Sequence, residues 1–256
     1  MSIETQAPAF FIGWDVGGWN CDKNGESRDA IVILDADLAI VGTPWRGNLR
    51  KSINATTCRS WVEALFALYG AEPPPISARV TLAIDTPLGF SQAFVALVTG
   101  RTYAESLESS ATNPYLFRQT ERCLFEQGIR PLSAVKDMIG SQATKGMHAL
   151  AKFAPQVQRC GVWSDGAALT AIEAYPAPCK LSDMMAGLLQ PYADWRQANH
   201  RDKVDALTCA LIAYCFQVQP ETLAQPDGSV PVSEGWIWLP QDVLPRASHD
   251  GERLAP

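Results

Sequence analysis

The chain is missing the markers of several function classes. Its seven cysteines, an odd number, include no CxxC pair, which argues against a disulfide framework and for free thiols in a reducing compartment. No stretch approaches 18 uninterrupted apolar residues, so neither a membrane-spanning helix nor a membrane partner is expected. The opening MSIETQAPAFFIGW has no basic flank followed by a small-residue cleavage site, and a cytoplasmic location is the default. Histidine is scarce, with three in 256 residues, and HExxH, GxSxG and GxxxxGK[ST] are all absent. Those absences exclude the corresponding zinc-peptidase, serine-hydrolase and P-loop chemistries. Basic residues are also outnumbered, 21 Lys and Arg against 27 Asp and Glu for a net charge of −6, which excludes a generally basic nucleic-acid coat.

What remains is a globular composition, 47% hydrophobic and 19% charged, on a chain long enough to bury its own core. A single domain over 1–256 is expected, and the charge along it is uneven. Residues 217–256 carry six acids and two bases, whereas 101–159 carry eight bases and five acids. Arg118, Arg122, Arg130, Lys136 and Lys145 in the second stretch are therefore candidates for a phosphate-facing surface, against the plainer reading of a solvated helix face.

Hydrophobic patterning places the elements. Phe10–Val16 reads as a buried strand closed by Gly17-Gly18, followed by strands over Ala30–Leu34 and Leu38–Gly42 in an antiparallel meander. Arg59–Tyr69 has helical spacing, and Val80–Ile84 is a β-branched strand ending at Asp85. Residues 91–155 read as a helical insertion or cap, with helices over Gln92–Val98, Gln119–Glu126 and Ala134–Phe153, the last interrupted at Gly140 and Gly146. Leu169–Ala174 is a further strand, Lys203–Phe216 a helix starting near Asp202, and Gly235–Leu239 a short strand inside a proline-rich segment. This order predicts an α/β fold, a mixed β-sheet flanked by helices.

Acids recur at the functional ends of these elements. Asp15 and Asp85 close apolar strands, where solubility gives no reason for a charge, and Glu173 stands near the end of a third. Asp202 and Asp205 are three residues apart, hence on one helix face, and Cys209, Ile212 and Phe216 continue that stripe. Like charges so placed repel unless a cation lies between them. Mg²⁺ or Mn²⁺ prefers such hard oxygens, and two ions about 3.5 to 4 Å apart can cleave a phosphodiester. Asp15, Asp85, Asp205 and either Asp202 or Glu173 would supply the metal ligands and catalytic acids. Each has a plainer competitor: a turn for Asp15, a strand end for Asp85, a helix cap for Asp202. His200, beside Asp202, is a lesser candidate for proton transfer.

Ile12-Gly13-Trp14-Asp15 with Gly17-Gly18, Ala83-Ile84-Asp85-Thr86-Pro87-Leu88-Gly89, Ile172-Glu173-Ala174-Tyr175-Pro176, Asp202-Lys203-Val204-Asp205-Ala206-Leu207 and Glu234-Gly235-Trp236-Ile237-Trp238-Leu239-Pro240 carry a resemblance. Together they resemble an uncharacterised family of predicted nucleases with a ribonuclease H-like fold, and more distantly the resolvase-like nucleases. The resemblance implies a mixed sheet whose first strand carries Asp15 and a later one Asp85, with Asp205 and Asp202 on the last functional helix. It also implies Mg²⁺ or Mn²⁺ as cofactor, nucleic acid as partner and a substrate-positioning loop at Thr86. The opening strand with its Asp-x-Gly-Gly turn equally resembles the first phosphate motif of actin-like ATPases, although no second glycine-rich loop follows. A non-catalytic binding or scaffold protein is the third reading.

Overall fold

The computed structural model describes residues 7–107 and 109–245. Residues 1–6, in which the leader reading partly lies, and 246–256, the end of the proline-rich segment with His249, fall outside it. Eight strands form one mixed sheet: β1 (Ala9–Asp15), β2 (Asp29–Leu34), β3 (Trp45–Gly47), β4 (Arg79–Asp85), β5 (Gln156–Arg159), β6 (Val162–Ser164), β7 (Leu169–Ala174) and β8 (Ile237–Trp238). They lie in the order β3-β2-β1-β4-β7-β6-β5, and β8 pairs with the end of β7. β1, β4 and β7 are parallel neighbours, while β2 and β3 continue from β1 in antiparallel fashion.

Alternation along each strand divides the core into two faces. Phe11 of β1, Val32 of β2, Ala83 of β4 and Ile172 of β7 join one cluster, which holds the buried side of α8 (Arg201–Val218). Their neighbours Ile12, Ile33, Leu82 and Ala171 join the other, with α2 (Trp61–Leu68) and α5 (Gly140–Phe153). The sheet is thus covered on both sides, as the α/β expectation required. α1 (Arg50–Ala55) and α3 (Gln92–Gly100) precede α4 (Gln119–Glu126), and α6 (Asp183–Leu189) and α7 (Ala193–Ala198) lead into α8.

One contact sets where α8 lies. A Cβ on Gly13 would stand 1.8 Å from the Ala206 carbonyl oxygen and 2.4 Å from the Ala210 nitrogen. Strand and helix backbones therefore touch, with Ala206, Ala210 and Ala213 supplying a buried small-residue face on α8. This crossing brings the first turns of α8 over the carboxyl ends of β1 and β4.

Several sequence expectations need correction. Leu38–Gly42 is not the third strand. Leu38 and Gly42 both take positive φ, 62° and 66°, and only a single bridge joins Leu34 to Ile40. Asp35 anchors that bend by accepting from the Asp37 and Ala39 N–H groups at 3.0 and 2.9 Å, and the edge strand forms later, at β3. The helix expected over Ala134–Phe153 begins at Gly140, because Met138 at φ 57° breaks the preceding path. Gly146 does not interrupt it: a Cβ there would fall 2.5 Å from Thr86 Cγ2, so the glycine lets α5 lie close to the segment after β4. Within the expected helical insertion, α5 is a layer of the core, and its Phe153 stacks on Trp61 at a 4.2 Å centroid distance.

Candidate active site

The parity of the strands decides which acids meet. Asp15 follows Phe11 and Gly13 on the α8 face of β1, and Asp85 follows Thr81 and Ala83 on the same face of β4. Thr81 confirms that orientation by donating its hydroxyl to Gln217 Oε1 of α8 at 2.6 Å. Asp15 and Asp85 are register partners across the parallel pair. Asp205, near the start of α8, comes down beside them, and all three line a cleft of about 720 Å³ together with Asp202.

The electrostatics are those of crowded carboxylates. Burial pushes the Asp15 carboxyl well above the ordinary range, and the charges of Asp85, Asp205 and Asp202 push it further. Asp85 is raised well above that range too, first by burial and then by Asp205 and Glu173. Asp205 is raised by burial and Asp202, while the Arg201 guanidinium opposes the rise. Burial and repulsion from neighbouring acids thus raise all three carboxyls, and Arg201 opposes the rise at Asp205.

Glu173 has the opposite parity, shared with Leu169 and Ala171, and turns to the α5 face. There the Arg118 guanidinium grips it with two bonds of 2.6 and 2.8 Å, and the Leu88 N–H donates to Oε2 at 2.8 Å. Glu173 nevertheless lines the same cleft as the three aspartates, and its charge helps to raise Asp85, while its oxygens are engaged by these protein donors. Arg118, expected on a phosphate-facing surface, is 2% exposed and also pairs with Glu121 at 2.8 Å. Lys145, from the same expected surface, is completely buried. It binds Asp29 at 2.6 Å and donates to the Gly17 and Gly18 carbonyls at 2.9 and 3.1 Å.

Asp202 is buried in the lining of the cleft, with one of its two oxygens engaged by protein donors. Oδ2 accepts from Arg46 Nε at 2.8 Å and from the Arg28 N–H at 2.9 Å, and Oδ1 lies 3.3 Å from His200 Nδ1. Through Oδ2 it ties the β2 and β3 ends to the start of α8. His200 caps α8, its Nδ1 accepting from the Asp202 N–H at 3.2 Å. In the Gly17-Gly18 turn, the Gly17 N–H donates to Asp29 at 2.9 Å and the Trp19 N–H to Ser141 Oγ at 3.0 Å. Those two donors are spent within the protein.

Sequence reasoning missed the cations at the cleft. Lys180, Arg196 and Arg201 line it, and all three side chains are exposed. Proximity of Arg201 and Asp205 on one helix, four residues apart, was the available signal.

Among the described residues, no group of three or more His, Cys, Asp or Glu already stands in a metal-holding arrangement. The donor chemistry of Asp15, Asp85 and Asp205 nonetheless suits a hard divalent cation, since all three offer carboxylate oxygens. Among the described residues, no helix is long and apolar enough to cross a membrane. Comparison of the chain with protein-family models, with curated proteins and with solved structures gives no match.

Proposed function

We propose that this protein is a divalent-metal-dependent phosphodiesterase of nucleic acids built on a ribonuclease H-like arrangement. The observation that carries the reading is the convergence of Asp15, Asp85 and Asp205 in one cleft, where burial and repulsion among the acids raise all three carboxyls. Keeping such a cluster costs stability unless a ligand relieves the repulsion in use. The placement of Asp15 on the first strand, Asp85 on a parallel neighbour and Asp205 on α8 matches what the sequence resemblance implied.

In this reading Asp15 and Asp85 hold Mg²⁺ or Mn²⁺, and Asp205 completes the protein ligands. The bound ion supplies charge neutralisation and a more acidic water. Arg46 and the Arg28 N–H fix Asp202, and Asp202 in turn fixes the first turn of α8 that presents Asp205. Arg201 stands at the rim to receive a phosphate oxygen. Hydrolysis joins the water oxygen to phosphorus and breaks one P–O ester bond. One water proton passes to the departing oxygen, leaving a phosphomonoester and a hydroxyl.

The test is cleavage of end-labelled oligonucleotides in Mn²⁺. Wild-type protein should cut, and Asp15→Asn, Asp85→Asn and Asp205→Asn should each abolish the cut while keeping the wild-type circular dichroism spectrum. Cleavage that persists in EDTA or survives Asp15→Asn with Asp85→Asn overturns the reading.

A further inference from the structure

Besides its acids, the cleft is lined by two chemically different groups of residues. From the α5 side of the sheet come Ile139 and Gln142, with Pro131 and Leu132 from the preceding loop. From the α8 side come Arg196 and Arg201, with Lys180 from the segment after β7. The first group carries no charge, and the second carries three exposed cations. Thr86 adds a buried hydroxyl with no protein partner in the lining beside Asp85.

Several other basic residues are already engaged within the protein, and Arg122 and Arg130, two of the expected phosphate-facing residues, are not among those that line the cleft. Arg118 and Lys145 are buried in ion pairs, Arg46 is held by Asp202, and Lys136 pairs with Asp137 at 2.9 Å. Lys152 donates to the Ile53 carbonyl at 2.5 Å. A duplex presents two phosphate rows separated by grooves of roughly 6 and 12 Å and needs cations spread over a wide face. A cleft of about 720 Å³ instead has the size that encloses a small ligand or a short run of single strand.

We infer that the cleft admits an unpaired nucleic-acid strand and excludes the intact duplex, holding phosphates on the Lys180–Arg196–Arg201 group and bases against the uncharged one. The inference rests on the proposed phosphodiesterase reading and adds its substrate class. Single-strand sites elsewhere combine a cationic track with aromatic side chains on which bases stack, and Tyr175 is the aromatic residue in the lining of this cleft.

The experiment is fluorescence anisotropy of a labelled deoxythymidine dodecamer and of a blunt duplex of equal length, in Ca²⁺, with wild-type protein and the Arg196→Gln/Arg201→Gln variant. Both arginines are exposed, so the variant should fold normally. The single strand should bind about tenfold or more tightly than the duplex. The slope of log affinity against log salt should fall by about 0.7 for each phosphate contact removed. Equal or tighter binding of the duplex, or a variant that binds the strand as the wild type does, overturns the inference. Parallel incubation in Mn²⁺ separates the two claims. Strand bound but uncut defeats the phosphodiesterase reading and leaves the strand preference standing, whereas duplex cut as fast as strand does the reverse. Absence of both binding and cleavage defeats both.

Discussion

Asp15 and Asp85 are register partners on parallel strands, and both carboxyls face α8, where Asp205 adds a third acid. Their protonation equilibria are displaced upward, so folding favours the protonated forms. The penalty for ionising them is absent at pH below the unfolded value of about 3.9. It grows as pH rises from that value towards the raised folded ones and is fully present above them. Asp15→Asn should therefore stabilise the protein at pH 8 and do little at pH 3.5. Every tenfold by which folding weakens the acid corresponds to about 1.4 kcal/mol recovered on its removal, and a protein of this size gains about 2–4 °C in Tm per kcal/mol. Thermal denaturation at both pH values checks this, and an equal gain at each would contradict it.

A cation should substitute for those protons. At pH 8, Mn²⁺ at about 100 times its dissociation constant should add about 2.7 kcal/mol to wild-type stability by mass action. The same addition should leave the Asp15→Asn/Asp85→Asn variant unmoved. Differential scanning fluorimetry across a Mn²⁺ series reads the difference. A Tm rise of equal size in the double variant would place the ion elsewhere.

Much of this site could be read from sequence because its logic is local. Strand endings and the three-residue spacing of Asp202 and Asp205 identified the acids, and Gln119–Glu126 and Leu169–Ala174 form elements with the expected limits. The strand-end position of Glu173 was legible, but its engagement by Arg118 and the Leu88 N–H was not, because those donors lie 55 and 85 residues away. The partners of Arg118 and Lys145 lie 55 and 116 residues away, at Glu173 and Asp29, and no local pattern announces such pairs. The β5–β6 hairpin escaped notice because Gln156–Arg159 is exposed throughout and lacks alternation.

Arg118 and Glu173 form a bidentate pair that also anchors the segment before β8, since Arg118 donates to the Glu234 carbonyl at 3.0 Å. Removing one partner leaves a buried charge. Arg118→Met should therefore cost about 3–5 kcal/mol, read from urea denaturation. Arg118→Lys should recover little, because an ammonium cannot make the two parallel bonds. Full stability in Arg118→Lys would show that charge alone suffices.

Lys145 and Asp29 offer a cleaner double-mutant cycle. Asp29 also accepts from the Trp14 indole at 3.1 Å, the Gly17 N–H at 2.9 Å and the Leu49 N–H at 2.7 Å. Burial pushes its carboxyl up, and the Lys145 ammonium pulls it back. Lys145→Met should thus destabilise by about 3–5 kcal/mol. Adding Asp29→Asn, which keeps acceptor oxygen while removing charge, should restore part of that loss. Simple additivity of the two substitutions would mean that the charges do not interact.

Gly13→Ala tests whether the strand–helix contact positions the site. The added Cβ would meet backbone atoms of α8 at 1.8 and 2.4 Å, and neither can move aside as a flexible side chain would. Overpacking in cores typically costs about 1–3 kcal/mol, and a backbone collision belongs at or above the upper end. The relief available is a movement of α8 away from β1, which carries Asp205 with it. Gly13→Ala should therefore lose stability and also lose the Mn²⁺-induced rise in Tm. Gly25→Ala is the control, since nothing lies within 4 Å of a Cβ there. A folded Gly13→Ala protein that keeps the full Mn²⁺ response would separate the seating of α8 from the assembly of the acidic site.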